Sequence, residues 1–283
     1  MPEITPGTSR STIPDATIAV AAGRLAAAAA TGVPCEPVRD LIGPEDIVSA
    51  YRVQERFNAL RAESSPVVGR KIGATSQAVQ MQLGVDQPDF GVLFADMQFA
   101  DGDLLPFDRL LQPRVEAEIA FVLLRDLVDG PLDVRQCRAA VDYAVAALEI
   151  VDSRIKGWDI SFADTVADNA SSGLYVLGTA RHTLDDFEPG EVLMGLRVDG
   201  ELVSSGDGTA CLGDPLNALS WLAHRAREFG DPLRAGQLIL SGALGPMVPV
   251  QPGSTVRASI KPLGSVSATF TTRDAGSHQG VHR

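Results

Sequence analysis

Cysteine is scarce. The 283 residues hold 3 of them: Cys35, Cys137 and Cys211, far apart and in no CxxC pair. No disulfide framework is plausible, and a reducing cytoplasm fits. Buried or incidental thiols are the expectation for all three. Long apolar runs are also missing. No stretch approaches the roughly 18 apolar residues of a membrane-spanning helix. The most apolar early stretch, 19–30, is broken by Gly23 and Arg24 and lacks a basic segment before it, so it does not read as a signal peptide. Positive charge is short as well. Lys and Arg number 24 against 36 Asp and Glu, a net charge of −12, which leaves no basic stripe for nucleic acid.

What is present is ordinary globular material, 45% hydrophobic and 21% charged, so global disorder is excluded. The length suits one large domain, or a core with a smaller appendage. Residues 1–15 and 273–283 read as mobile tails, the second holding His278 and His282. Residues 16–66 read as a helical N-terminal region. Within it, 16–31 is Ala-rich with Gly32 as C-cap, and a second helix opens at Pro44, Glu45 and Asp46 and runs to about Ala62. Residues 67–272 read as a strand-rich core. Strands are expected at 67–72, 115–124, 145–151, 173–177, 192–198, 238–240, 256–260 and 266–270. Helices are expected at 76–83, 134–141 and 215–228, and 84–91 reads as a turn-rich loop. Many uneven strands and few helices indicate an α+β or mainly-β fold, not a doubly wound sheet.

One strand carries chemistry. Alternation along 114–124 puts Glu116, Glu118, Ala120, Val122 and Leu124 on one face and Val115, Ala117, Ile119, Phe121 and Leu123 on the other. Both faces turn apolar after Glu118, so the strand is covered on both sides. Two carboxylates sharing such a face need a raised pKa or a cation between them. A hard divalent ion with oxygen ligands answers that need. Glu149, alone in the apolar run 148–151, supplies a third carboxylate if the two strands are neighbours. From the spacing alone, a solvated face or cross-strand salt bridges also fit, and Asp152 rivals Glu149, although Arg154 stands ready to pair with Asp152. Lys71 sits at a strand end between Gly69 and Gly73, glycines that permit close approach. Taken alone, Lys71 is an ordinary surface residue and the acids of 84–91 ordinary turn formers.

Residues 70–97 (RKIGATSQAVQMQLGVDQPDFGVLFADM) resemble the 2-oxopent-4-enoate hydratases, also called 2-hydroxypentadienoate or 2-keto-4-pentenoate hydratases. So do RVEAEIAF at 114–121, ALEIVDSRI at 147–155 and VADNASSG at 166–173. The resemblance spans roughly residues 40–272 in order and spacing. It implies the fumarylacetoacetate-hydrolase-like superfamily, with a mixed, rolled, mainly-β core and a small helical N-terminal layer. It places the metal ligands on Glu116, Glu118 and Glu149, for Mg²⁺ or Mn²⁺, and catalysis on Lys71 and Asp89. Asn169, Ser171 and Ser241 would meet the substrate carboxylate. Phe90, Leu93 and Phe94 would shape the far end of the pocket.

The implied reaction is hydration of 2-hydroxypenta-2,4-dienoate to 4-hydroxy-2-oxopentanoate, in meta-cleavage breakdown of aromatic rings. The metal stabilises charge on the C2 oxygen, a proton goes to C5, and water adds at C4. The resemblance further implies a cytoplasmic homo-oligomer, allows association with a neighbouring pathway enzyme, and implies no nucleic-acid or membrane partner. Two alternatives stand beside this reading. One is 2-oxo-3-hexenedioate (4-oxalocrotonate) decarboxylase, which needs an extra polar or cationic contact for a distal carboxylate. The other is an acylpyruvase-type C–C hydrolase, for which a histidine near the site is expected, whereas His182 and His224 lie outside the motifs. A non-catalytic scaffold would be expected to lack a ligand, and none is missing. Asp159 stands where a basic residue is expected after Trp158.

Overall fold

The computed structural model describes residues 13–272. The expected tails therefore fall outside the described residues except at 13–15, where Asp15 already opens a helix. His278 and His282 lie outside them too.

Three helices come first: α1 (Asp15–Thr31), α2 (Arg39–Ile42) and α3 (Ile47–Ala62). Gly32, at φ +67°, closes α1 and returns its N–H to Ala28. Asp46 caps α3 by accepting from the Ser49 N–H, so Pro44 and Glu45 precede the helix instead of opening it. Then follow β1 (Val67–Gly73), α4 (Gln77–Leu83), β2 (Asp89–Phe94), β3 (Gln98–Ala100), β4 (Leu104–Leu105), β5 (Arg114–Leu123), α5 (Val134–Ala140) and β6 (Val141–Val151). The second half holds α6 (Phe162–Ala167), β7 (Ser172–Leu177), β8 (Leu193–Val198), β9 (Glu201–Asp207), α7 (Pro215–Glu228), β10 (Leu238–Leu240), β11 (Val248–Pro249), β12 (Thr255–Lys261) and β13 (Gly264–Phe270).

The strands form two sheets. The larger runs β2-β1-β10-β5-β6-β7-β3, with β11 also on β5. It is mixed: β1–β10 and β3–β7 are parallel and the other pairs antiparallel. The sheet curls far enough for β2 to approach β7. The smaller sheet runs β4-β13-β12-β8-β9. The main core lies between the sheets and under α5 and α7, and includes Ile119, Phe121, Ile150, Leu219 and Val256. Of these, Ile119, Phe121 and Ile150 come from the face of β5 and β6 opposite the glutamates. The glutamate-bearing face continues into a second apolar cluster with Ala120, Ala147, Tyr175 and Leu240. Strand β5 is thus covered on both sides, as its alternation predicts.

The N-terminal helices pack on α6 through Leu25, Val53, Ala163 and Val166. Asp164 fastens that joint. Buried in α6, it accepts from the Val38 and Arg39 N–H groups, the Arg39 guanidinium and Ser161.

The expected loop 84–91 is corrected at its end. Asp89 begins β2, whose six residues are all buried. Asp89 and Gly91 hide the strand signal, since both residue types are depleted in strands. The expected helix at 134–141 yields its last residue to β6. Helices α2 and α6 and strand β9 were not anticipated.

Candidate metal centre and active site

Register builds the site. Antiparallel pairing of β5 with β6 sets Glu116 directly opposite Glu149, with Glu118 opposite Ala147. Direct and diagonal neighbours on one face of a pair lie within side-chain reach. One carboxylate oxygen from each of the three glutamates falls within 4.8 Å of the other two. All three residues are buried.

Two further pairings bring Lys71 over this cluster. It lies opposite Gly91 of β2 on one side and Leu240 of β10 on the other, and Leu240 in turn faces Ala120 of β5. Lys71 is 1% exposed, so the ordinary surface reading does not hold. Its Nζ donates to the Ala170 carbonyl at 3.1 Å and stands 3.1 Å from Glu149 Oε1. The latter contact is an ion pair off the hydrogen-bond line, since both Glu149 oxygens lack a donor. Asp89, paired with Gly73, accepts from Thr165 Oγ1 at 3.0 Å.

Four carboxylates and one ammonium therefore share a buried pocket. Burial pushes Glu116 up to about 8; Lys71 pulls it back, while Glu149 and Asp89 add to the rise. Burial, then Glu149 and Glu116, hold Glu118 well above the usual range. Glu149 and Asp89 are raised by burial against the pull of Lys71. For Lys71, burial works downward, but Glu149, Glu116, Asp89 and Glu118 outweigh it and keep the ammonium charged. Glu118 Oε1 and both Glu149 oxygens are buried with no donor. Orphaned carboxylate oxygens are costly without a cation. Three hard oxygen donors in this arrangement fit a divalent ion such as Mg²⁺ or Mn²⁺.

The expected substrate contacts divide. Ser171 lines the cavity over the glutamates, with Lys71, Asp89, Glu116 and Thr165. Asn169 serves as a brace in this structure. Its amide donates to Val92 O, and its oxygen accepts from Val92 N and Asn58, so its side chain is turned to β2. Ser241 does not line the cavity either; its hydroxyl is buried without a partner. Its neighbour Gly242 donates its N–H to Glu118 Oε2 at 2.8 Å. That requires glycine: φ is +107°, and a Cβ would stand 2.2 Å from Thr75 Oγ1.

The pairing of Arg154 with Asp152 is corrected as well. Asp152 accepts from the Leu111 and Gln112 N–H groups, while Arg154 pairs with buried Asp168, which burial raises to about 6 against the pull of Arg154. The apolar wall was missed in sequence. It consists of Val79, Leu83, Val151, Trp158 and Met247, residues that read as ordinary core. Phe90 is not in it. That ring stacks on Tyr51, 4.7 Å between centroids, away from the cavity, and Leu93 and Phe94 belong to the second apolar cluster. The cavity is small, about 20 Å³, roughly one water. Asp159 pairs with Arg39 on the surface.

The fumarylacetoacetate (FAA) hydrolase C-terminal family matches residues 67–271. A 2-keto-4-pentenoate hydratase of Burkholderia vietnamiensis is 54% identical over 258 residues, 91% of this chain and 98% of that protein. A TodF product hydratase of Pseudomonas putida is 54% identical over 252 residues, 88% and 94% of the two chains. Among solved structures, 4-oxalocrotonate decarboxylase from Pseudomonas putida G7, complexed with magnesium and adipate, superposes with a TM-score of 0.86 at 31% identity. It covers 92% of this chain and 99% of that one.

Proposed function

The chain belongs to the 2-keto-4-pentenoate hydratase family, within the fumarylacetoacetate hydrolase fold, and we propose that it hydrates 2-hydroxypenta-2,4-dienoate to 4-hydroxy-2-oxopentanoate. One observation carries the reading: three buried, donor-poor glutamates converge beside a buried Lys71 and Asp89. Glu116, Glu118 and Glu149 hold Mg²⁺ or Mn²⁺. When bound, the ion supplies Lewis-acid stabilisation of negative charge on the substrate's C2 oxygen.

The remaining roles fall to the chain's own groups. Ser171, on the cavity wall, meets the substrate carboxylate. Lys71 stays charged among the glutamates and helps stabilise the enolate. Asp89, raised by burial and steadied by Thr165, exchanges protons at C5 and with the water that adds at C4. The apolar wall of Val79, Leu83, Trp158 and Met247 suits an uncharged hydrocarbon end and excludes stray water. Asn169 and Ser241 act behind this layer, one bracing the turn beside Lys71 and the other adjoining the Glu118 anchor. No helix among the described residues is long and apolar enough to cross a membrane. The free cysteines fit a cytoplasmic setting. A homo-oligomer, and association with a neighbouring pathway enzyme, complete the proposal; light scattering on the pure and mixed proteins tests both.

The test follows loss of the dienol absorbance with Mg²⁺, with EDTA, and for Glu116→Ala. Metal-dependent loss with a mass gain of one water, abolished in the variant, is expected. Substrate left intact while 2-oxo-3-hexenedioate loses CO₂ would overturn the hydratase reading.

A further inference from the structure

Arg114, Glu116 and Glu118 alternate along β5 and share a face. The row that ends in the metal ligands therefore begins with a guanidinium. Arg114 is half-buried. Its guanidinium carbon stands 4.4 Å from the centroid of the Trp158 ring, and Nη1 lies 3.8 Å from Met247 Sδ. Both of those residues belong to the wall of the catalytic cavity. Among the described residues no carboxylate forms a direct ion pair with Arg114; its close neighbours are a ring face and a thioether, and the nearest attraction comes from Glu116 further along the strand.

Beyond Trp158 lies a second, open cavity of about 290 Å³, lined by Arg114, Gln112, Gln251, Phe107 and Pro249. Trp158 borders both spaces. It is pinned from one side, donating Nε1–H to the Gln112 carbonyl at 3.0 Å, while Gly157 N–H donates to Gln112 Oε1 at 2.6 Å. Arg114 lines the outer space while its guanidinium rests on Trp158 and Met247.

We propose that the outer cavity is the vestibule of the catalytic pocket and that Arg114 is its capture residue, binding the carboxylate of the incoming 2-hydroxydienoate before it passes Trp158. This rests on the hydratase reading. The electrostatic need is plain. The chain carries −12 overall, and even with a divalent ion bound, four ionised carboxylates against that ion and Lys71 leave the pocket without excess positive charge. An anionic substrate is repelled at long range, and a cation at the mouth reverses the local sign. Arg suits the task, because its planar fork grips a carboxylate in bidentate fashion.

The experiment measures kcat and kcat/KM of the Mg²⁺-loaded enzyme from about 0.01 M to about 0.3 M salt, for wild type, Arg114→Met, Arg114→Gln and Arg114→Lys. Met keeps the packing against Trp158 and Met247 without the charge. The expected loss, about 10-fold at low salt for Met and Gln, falls on kcat/KM and not on kcat. The wild-type decline with salt flattens in both, and Lys restores most of both properties. Calorimetric binding of 2-oxopentanoate to the same four proteins gives the comparison without turnover. Wild-type efficiency and salt slope in Arg114→Met, with wild-type 2-oxopentanoate affinity, would overturn the capture role. An inert wild-type enzyme that still binds 2-oxopentanoate through Arg114 would sink the hydratase reading alone.

Discussion

Gly73 has no side chain where Asp89 has one. A Cβ on Gly73 would stand 2.1 Å from Asp89 Oδ1 and 3.3 Å from Lys71 Nζ, whereas ordinary contact begins at 3.4 Å. In Gly73→Ala the carboxylate must therefore retreat by about 1.3 Å, the difference between 3.4 and 2.1. That strains its 3.0 Å bond from Thr165. The obstacle is the end of a side chain, not backbone, so β1 and β2 stay paired. Overpacking of this kind costs about 1–3 kcal/mol, which lowers Tm by ~2–4 °C per kcal/mol. The rate suffers more. Displacing a positioned group by about 1 Å costs roughly 100-fold, or about 2.7 kcal/mol of barrier. The proposed metal ligands lie on β5 and β6, so Mg²⁺ affinity by calorimetry should stay near wild type. A dienol assay gives kcat, and a cycle with Asp89→Asn isolates the route: Gly73→Ala adds little once Asp89 no longer works as an acid. Full kcat in Gly73→Ala, or a loss that is simply additive with Asp89→Asn, would refute the argument that Gly73 serves to seat Asp89.

Three other outcomes follow from the same contacts. In the metal-free protein burial pushes Glu116 up to about 8 from its ordinary 4.5. Folding then favours its protonated form, and that stability, full below pH 4.5, is lost as pH rises toward 8. Mg²⁺ requires the deprotonated carboxylates, so the Tm gain from Mg²⁺ over EDTA should grow from pH 6 to pH 8, with proton release on binding; a pH-independent gain would contradict it. Lys71→Met should lower kcat by about 10²–10⁴-fold yet tighten Mg²⁺ binding, because it removes a cation beside Glu149; weaker binding would mean Lys71 organises the ligands instead of competing for their charge. Asp164→Ala removes the carboxylate half of the α6 capping box and the anchors of Val38 and Arg39, and should cost about 2–4 kcal/mol in urea unfolding, with the folded fraction still active. Loss of activity at full foldedness would give Asp164 a role at the site.

The metal centre was legible because it contradicts its surroundings. Glutamates inside apolar strands state their own problem, and a period of two says which of them share a face. That rule pairs Glu116 with Glu118, and β6 brings Glu149 opposite Glu116; spacing alone also fits a solvated face, or Asp152 in place of Glu149, and the family resemblance is what selects the three glutamates. Nothing comparable marks the groups that hold the site in place. Thr165 reaches Asp89 across 76 residues, Asn169 reaches Val92 across 77, and Gly242 reaches Glu118 across 124. Each is a common residue in unremarkable sequence, and its partner exists only after folding. The same holds for Val79, Leu83, Trp158 and Met247, whose apolarity is that of any core.

The turn beside Lys71 makes the limit concrete. Asn169, Ala170 and Ser171 take φ of +56°, +49° and +52° in succession. Left-handed backbone costs roughly 1–2 kcal/mol for each residue with a Cβ, and neither Ala nor Ser advertises it. A sequence of small polar residues therefore reads as a plain turn, and only the family resemblance turned Asn169 toward the substrate. The structure opposes the strain from three sides. Asn169 is clamped to Val92 and Asn58. Asp168 is locked to Arg154. Ser171 O accepts the Asp152 N–H at 2.7 Å. The outcome of that effort is one carbonyl, Ala170 O, aimed at Lys71 Nζ. Strain maintained by so many contacts, and ending on the buried lysine, argues that the position of Lys71 is what the turn is built to fix.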